Sequence, residues 1–158
     1  LSVLKRAVAV AAPAGLVIWL LANVSVDGGT VLSHITTALD PVGRVLGMDG
    51  TILAAFILGL PANEIVIPIA LMSYAAEGGL VEASTGAMAE MLHANGWSAA
   101  TAVCVIVFSL CHFPCSTTLI TIKRETGKLR YAILAAILPT LTGAILCALI
   151  NLVAGFLI

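Results

Sequence analysis

One short stretch of the sequence combines metal-binding side chains with a helix breaker. It reads SLCHFPCSTTL, residues 109–119, and contains Cys111 and Cys115 four positions apart, with His112 beside the first cysteine. Pro114 has no backbone N–H and crowds the carbonyl of Leu110, so a helix is interrupted here and that oxygen is freed. Thiolate and imidazole suit Fe, Zn or Cu(I), whereas a free carbonyl suits harder ions. The stretch therefore predicts a metal site at a helix break.

A second stretch, GLPANEIVIP at residues 59–68, carries a carboxylate inside an apolar run. Pro61 and Pro68 are each expected to interrupt a helix. Glu64 costs at least about 2.5 kcal/mol in a membrane unless it is paired, protonated or hydrated, so it is a functional candidate by default. No Lys or Arg lies in any apolar run, which leaves a proton, a cation or His112 as its partner. Asn63 adds an amide oxygen, and we predict that this stretch lines a permeation path.

The composition is that of a membrane protein. Of 158 residues, 61% are hydrophobic and 9% are charged, whereas soluble domains carry about 25% charged residues. Four apolar runs, 7–25, 51–76, 97–122 and 131–158, each have about the 20 residues that span a bilayer. We therefore predict an all-α polytopic membrane protein with one transmembrane domain over residues 1–158. The net charge of −1 gives no indication of nucleic-acid binding. The chain begins at Leu1 without methionine, which we interpret as the edge of a fragment or of a processed chain.

The charges of the loops predict the orientation of the spans. Lys5, Arg6 and the basic loop at 123–130 are expected in the cytoplasm, and the acidic loop at 77–96 outside. The run at 51–76 must then begin and end on the same side, which predicts a re-entrant hairpin between about three full transmembrane helices. Such irregular backbone is tolerated only inside protein or beside a wet cavity. The alternative is a broken full crossing, with Lys5 and Arg6 merely at the interface.

Shorter helices are expected at the membrane surface. Apolar residues recur at helical spacing over residues 27–50, interrupted at Asp40-Pro41 and Gly43, which favours one or two amphipathic helices. A further short helix outside is expected to begin near Thr85 and to stop at Asn95-Gly96.

Broken helices that meet near the bilayer midplane are a common way to build an ion site. The two breaks together predict a site with soft and hard ligands, suited to a borderline divalent ion such as Fe²⁺. Its predicted ligands are Cys115, Glu64, Cys111, His112 and Asn63, although Cys111 is equally compatible with packing. Cys104 and Cys147 have no polar neighbours in sequence and are expected to pack in the core.

The same residues carry a family resemblance. LGLPANEIVIPI (58–69), FSLCHFPCSTTLITIKRETG (108–127) and APAGLVIWLLAN (12–23) resemble the second Gate region of the ferrous-iron transport protein B (FeoB) family. The resemblance covers essentially the whole chain in order. The His-x-Pro-Cys-Ser-Thr-Thr run followed by Ile-Lys-Arg-Glu-Thr-Gly is its most specific part.

This resemblance implies a multi-pass protein of the bacterial inner membrane that imports Fe²⁺ as the transported ion, without a permanently bound cofactor. It implies that Cys115 is a pore residue and that Glu64 is the glutamate of the Pro-Ala-Asn-Glu motif. The family's complete protein also has an N-terminal GTP-binding domain and a first Gate region, which are the implied partners. This chain has no Gly-x-x-x-x-Gly-Lys-Ser/Thr phosphate loop, so we expect no enzymatic activity from it. Transport is expected only when it assembles with the missing half or with copies of itself.

Two other functions fit the sequence. The chain could be a membrane scaffold that pairs with a separate GTPase-bearing chain and binds no metal. It could also be a thiol redox protein using Cys111 and Cys115, although cysteines at i and i+4 of one helix are poorly placed for an unstrained disulfide.

Overall fold

The structure is a computed structural model that describes residues 16–17, 19–26, 28–60, 63–78 and 85–157, with the backbone alone for residues 64, 75–78, 85 and 157. The predicted all-α class is confirmed, because the sheet in the described part is a single antiparallel pair, β1 (Ser25–Val26) and β2 (Gly29–Thr30). The predicted first span, 7–25, lies largely outside the described residues, of which 16–17 and 19–23 are helical.

Seven helices follow this pair in the described part of the chain. They are α1 (Val31–Val45), α2 (Gly50–Leu58), α3 (Val66–Gly78), α4 (Thr85–Ala94), α5 (Ala99–Cys111), α6 (Ser116–Thr126) and α7 (Leu129–Leu157), with a 3₁₀ turn at Asn63–Ile65 before α3.

Helix α1 is continuous through Asp40-Pro41, where the sequence predicted an interruption. Pro41 cannot donate to the carbonyl of Thr37, and Thr37 lies on the exposed side of the helix. The side chain of Asp40 instead accepts a hydrogen bond from the backbone N–H of Gly50 (3.2 Å). Gly50 lies so close to the carbonyl of Thr36 that a Cβ there would overlap it. The close approach joins α1 to α2, which are bent by 107° relative to each other.

Helices α2 and α3 fold back on each other as an antiparallel hairpin, residues 50–78. Asp49, the residue before α2, accepts a hydrogen bond through its Oδ2 from the hydroxyl of Tyr74 in α3 (2.5 Å). Each helix rises only about 12–13 Å between this contact and the far end of the hairpin. We call the Asp49–Tyr74 end the hairpin root, and the described residues 59–60 and 63–65 at the far end the hairpin tip. The segment therefore returns to the end at which it began, as the hairpin interpretation predicts.

Helix α5 runs beside the hairpin from its root to its tip. Trp97, just before α5, donates its indole N–H to the Tyr74 hydroxyl at the root (3.1 Å). Farther along, the rings of Phe108 and Phe56 meet edge to face with centroids 4.8 Å apart. The buried core contains these rings together with Ile52, Val66 and Ile69. Helix α7 packs antiparallel to α5. The two helices approach closely where Gly143 meets Cys111, since a Cβ added to Gly143 would lie only 2.9 Å from the Cβ of Cys111.

Two helical stretches in the described part are long and apolar enough to cross a membrane. They are Ala99–Thr126, which contains α5 and α6, and Leu129–Phe156, each with 28 residues. The bent pair α1–α2 would be a third if it were counted as one span. These stretches confirm the membrane-protein class.

Candidate ion site

The span formed by α5 and α6 is interrupted at residues 112–115, which we call the midspan break. His112 and Cys115 have extended backbones, with ψ of 176° and 157°. Pro114 lies between them, removes one helical donor and restricts the preceding residue to extended conformations. His112 is the fourteenth of the 28 residues in this span. The chain is therefore non-helical near the middle of an apolar span.

The hairpin tip reaches this break and bonds to it. The backbone N–H of Ser116, in the first turn of α6, has no partner within its own helix. It donates instead to the carbonyl of Leu60, the last described residue before Pro61 (2.9 Å). Pro61 itself lies outside the described residues, and Pro68 lies in the first turn of α3, where a missing N–H costs no helical bond. The two broken elements thus meet at one junction.

His112 is buried at this junction, with its side chain held in one tautomer. Its Nδ1 lies 3.1 Å from the carbonyl oxygen of Phe108 and 2.9 Å from that of Ser109. Carbonyls only accept hydrogen bonds, so this network assigns the proton of the neutral ring to Nδ1 and leaves a lone pair on Nε2. Nε2 is buried and, in the described part of the chain, has no hydrogen-bond partner.

Aromatic rings surround the His112 imidazole. The ring centroids of Phe56 and Phe113 each lie 5.0 Å from it, and that of Phe108 lies 6.0 Å away. These rings supply no conventional acceptor or donor in the ring plane. They pack around the imidazole and leave Nε2 without a hydrogen-bond partner among them.

Asn63 places a second acceptor on the other side of the junction. It begins the 3₁₀ turn at the hairpin tip, and its Oδ1 is buried without a partner among the described residues. In the described part of the chain, two buried side-chain nitrogen or oxygen atoms have no hydrogen-bond partner, and they are Asn63 Oδ1 and His112 Nε2. An unmet buried acceptor costs about 1–3 kcal/mol. One of the two unmet acceptors belongs to the hairpin tip and the other to the midspan break.

Cys115 lies at the start of α6, where its side chain does not cap the helix. Its Sγ is 3.3 Å from the Thr118 hydroxyl, and the residue is half-buried. The N-terminal end of a helix stabilises negatively charged ligands and side chains. The sulfur is thus placed at the end of α6 that faces the break.

The other three cysteines lie on the α5–α7 contact. Cys111 packs against Gly143 of α7. Cys104 and Cys147 are fully buried, and each thiol bonds the other residue's carbonyl, at 3.7 Å for Cys104 Sγ and 3.3 Å for Cys147 Sγ. The predicted packing role of Cys104 and Cys147 is confirmed.

Glu64 lies in the 3₁₀ turn beside Asn63, and its side chain is not among the described ones. Among the described side chains, no group of three or more His, Cys, Asp or Glu is arranged to hold a metal ion. The predicted ligand set, which includes Glu64, therefore stays a prediction.

The polar network at the hairpin root was missed from the sequence. Asp49 caps α2 by accepting from the N–H of Ile52 (2.7 Å), and it also binds Tyr74, which in turn binds Trp97. The Asp-Gly pair before an apolar run is a typical helix start. Nothing in the sequence indicated that two aromatic side chains farther along the chain would join it.

Comparison with known families decides the wider class. A family model described as Gate, nucleoside recognition, matches residues 4–129. The chain belongs to the Gate family. Gate domains occur in FeoB-type transporters and in other proteins, and together with the apolar helices this identifies a membrane protein of the transport type. No curated protein and no solved structure matches the chain significantly.

Proposed function

We propose that this chain forms the C-terminal pore half of a bacterial inner-membrane Fe²⁺ transporter, and that Fe²⁺ passes where the hairpin tip meets the midspan break. One observation carries the proposal. The two buried side-chain acceptors without a partner in the described part belong to the two elements that meet here, Asn63 to the hairpin tip and His112 to the midspan break. Unmet acceptors persist in a native structure when something else satisfies them or when they serve a function.

A cation supplies what these acceptors lack. His112 Nε2 is a borderline ligand, Asn63 Oδ1 is a hard one, and the Cys115 sulfur is soft, a mixture that suits Fe²⁺. Glu64, next to Asn63 in sequence, adds negative charge to the same turn. Because a thiol must lose its proton to bind a metal, Fe²⁺ binding should release protons and weaken as the pH falls.

Family membership supports transport but leaves the ion open, so iron rests on the resemblance of residues 108–127 and 58–69 to FeoB proteins. On that basis the partners are an N-terminal GTP-binding domain and a first Gate region. The chain itself performs no enzymatic step, and Fe²⁺ is its cargo rather than a resident cofactor.

Anaerobic Fe²⁺ binding to the purified chain tests the proposal. We expect saturable binding by the wild type and at least tenfold weaker binding by His112→Phe, which keeps an aromatic ring among its neighbours but removes Nε2. Cys147→Ser, which changes a buried thiol away from the junction, is the matched control and should bind normally. If the wild type binds no Fe²⁺ while still assembling with a GTPase-bearing chain, the scaffold function replaces the pore.

A further inference from the structure

A second polar cavity lies at the hairpin root, at the opposite end of the hairpin from the junction. Its volume is about 230 Å³. The side chains that matter for its chemistry are Arg44, Asp49, Asn95, Trp97, Thr101 and Asn151. Six waters take up roughly 180 Å³ at about 30 Å³ each, so the space suits a divalent ion with much of its hydration shell.

The two asparagines that line this cavity use their amide nitrogens in bonds to backbone carbonyls. The Asn151 amide nitrogen donates to the carbonyls of Arg44 (2.8 Å) and Val45 (3.3 Å) at the end of α1. The Asn95 amide nitrogen donates to the carbonyl of Met91 near the end of α4 (2.8 Å). With each NH₂ group committed to a carbonyl, the amide oxygen is the polar atom left for a ligand.

Asp49 gives the cavity its negative charge. Each of its carboxylate oxygens accepts one described hydrogen bond, from the Ile52 N–H and the Tyr74 hydroxyl. An ionised carboxylate has about four acceptor positions, so about two remain. The guanidinium of Arg44 at the rim is already paired with Asp40 (2.6 Å), which is the ion pair of the described part. The charge on Asp49 is therefore not neutralised by a contacting cation there.

Helix ends of both polarities lie around the cavity. The C-terminal ends of α1 and α4 converge here, at Arg44 and at Asn95, and such ends favour cations. Helices α2 and α5 also begin here, and their caps Asp49 and Ser98 each accept one N–H group, from Ile52 and Thr101. These helix N-termini offset the C-termini, so the carboxylate of Asp49 and the amide oxygens are the groups that favour a hard cation.

We propose that the root cavity is a second cation site, which binds a hydrated divalent ion through oxygen ligands from Asp49, Asn95 and Asn151. If the chain transports an ion as proposed above, this cavity is an entrance to the ion path, since the junction lies at the other end of the same hairpin. The binding of a cation in the cavity is independent of that function.

Terbium luminescence tests this site directly, because Trp97 lines the cavity and can sensitise a bound Tb³⁺. The experiment uses the purified chain in non-ionic detergent with Trp19→Phe, which leaves Trp97 as the remaining tryptophan. We expect saturable Tb³⁺ emission that Ca²⁺ or Mn²⁺ displaces. Asp49→Asn should weaken Tb³⁺ binding at least tenfold, since Asn still caps a helix but carries no charge.

A variant that binds Tb³⁺ more tightly than the wild type serves as a control, because misfolding cannot produce tighter binding. Asn95→Asp adds a carboxylate at an exposed position and should tighten Tb³⁺ binding severalfold. Tyr74→Phe keeps every proposed oxygen ligand and should still bind. Absence of saturable emission from the wild type, or equal affinity in Asp49→Asn and Asn95→Asp, would overturn the proposal. The double variant Glu64→Gln/Cys115→Ser should bind Tb³⁺ normally, so failure at the junction and failure at the root are distinguishable.

Discussion

The two ends of the hairpin are built in opposite ways. At the root, Asp49, Tyr74 and Trp97 form a continuous chain of hydrogen bonds that ties α2, α3 and α5 together. At the junction, Asn63 of the hairpin tip and His112 of the midspan break each keep a buried acceptor without a partner in the described part. The polar side chains of the root therefore bond to one another, whereas the acceptors at the junction do not. The difference teaches that the two ends of one hairpin should respond differently to the removal of a polar group.

The first test of this arrangement asks from which side of the membrane the two ends of the hairpin can be labelled. Both ends lie at the root, so single cysteines at Thr51 and Ala76, in an otherwise cysteine-free chain, should be labelled by an impermeant thiol reagent from the same side. That side is the periplasm if the charge asymmetry of the loops is correct, and cysteine at Gly127 should then be labelled from the cytoplasm. Labelling of Thr51 and Ala76 from opposite sides would show that the segment crosses the membrane.

The largest expected loss of stability comes from Gly50→Ala beside the root. The new methyl group would overlap the carbonyl of Thr36 and approach the backbone nitrogen of Asp40 (2.8 Å), and neither backbone can move cheaply. We expect the free energy of unfolding in detergent to fall by about 3 kcal/mol, at the upper end for overpacking. Gly86→Ala is the matched control, because Gly86 lies in α4 with open space around it. If the two substitutions lower the free energy of unfolding equally, the close contact between α1 and α2 does not contribute to stability as proposed.

A smaller loss is expected from Tyr74→Phe. The variant leaves Asp49 Oδ2 and the Trp97 indole N–H without their shared partner, which should lower the free energy of unfolding by about 1–3 kcal/mol. Tyr131→Phe removes a hydroxyl whose partner is the exposed Arg130, and it should change little. If denaturant titration shows the same midpoint for Tyr74→Phe and the wild type, the root is not an anchor.

The smallest change in stability is expected at the junction. Asn63→Leu removes a buried acceptor that costs free energy as it stands, so the free energy of unfolding should change by less than about 1 kcal/mol or should rise. His112→Phe removes the other such acceptor together with the Nδ1–H donor to the Phe108 and Ser109 carbonyls, so the two effects should largely cancel. Fe²⁺ binding should nevertheless fall in both variants. A loss of stability there as large as that of Tyr74→Phe would indicate that the junction is a packing feature rather than a site.

Much of this organisation follows from local sequence. The apolar runs predict the two long spans of the described part, and Pro114 lies in the midspan break. The charges of the loops predict a re-entrant hairpin at 51–76, which stays a prediction that the labelling experiment tests. The antiparallel arrangement of α2 and α3 depends on the contact between Asp49 and Tyr74, which are 25 positions apart. No periodic pattern encodes such a contact.

The candidate site was predictable only as a set of residue types. His112 and Asn63 stood out as polar residues beside helix breaks, but the free Nε2 of His112 depends on the direction of its ring, which Phe56 and two α5 carbonyls determine. The sequence favoured Cys115 as a ligand but left Cys111 equally compatible with packing. The approach of Gly143 places Cys111 on the α7 contact. Pro41 is the opposite case, because the sequence predicted an interruption there and the helix continues through it.

The most direct test of the central claim is Fe²⁺ uptake by the assembled transporter carrying Glu64→Gln and Cys115→Ser together. We predict that uptake is lost while membrane insertion and expression are normal, and that Cys147→Ser takes up Fe²⁺ at the wild-type rate. Full uptake by the double variant at normal expression would contradict a shared ion path at the junction of the hairpin tip and the midspan break.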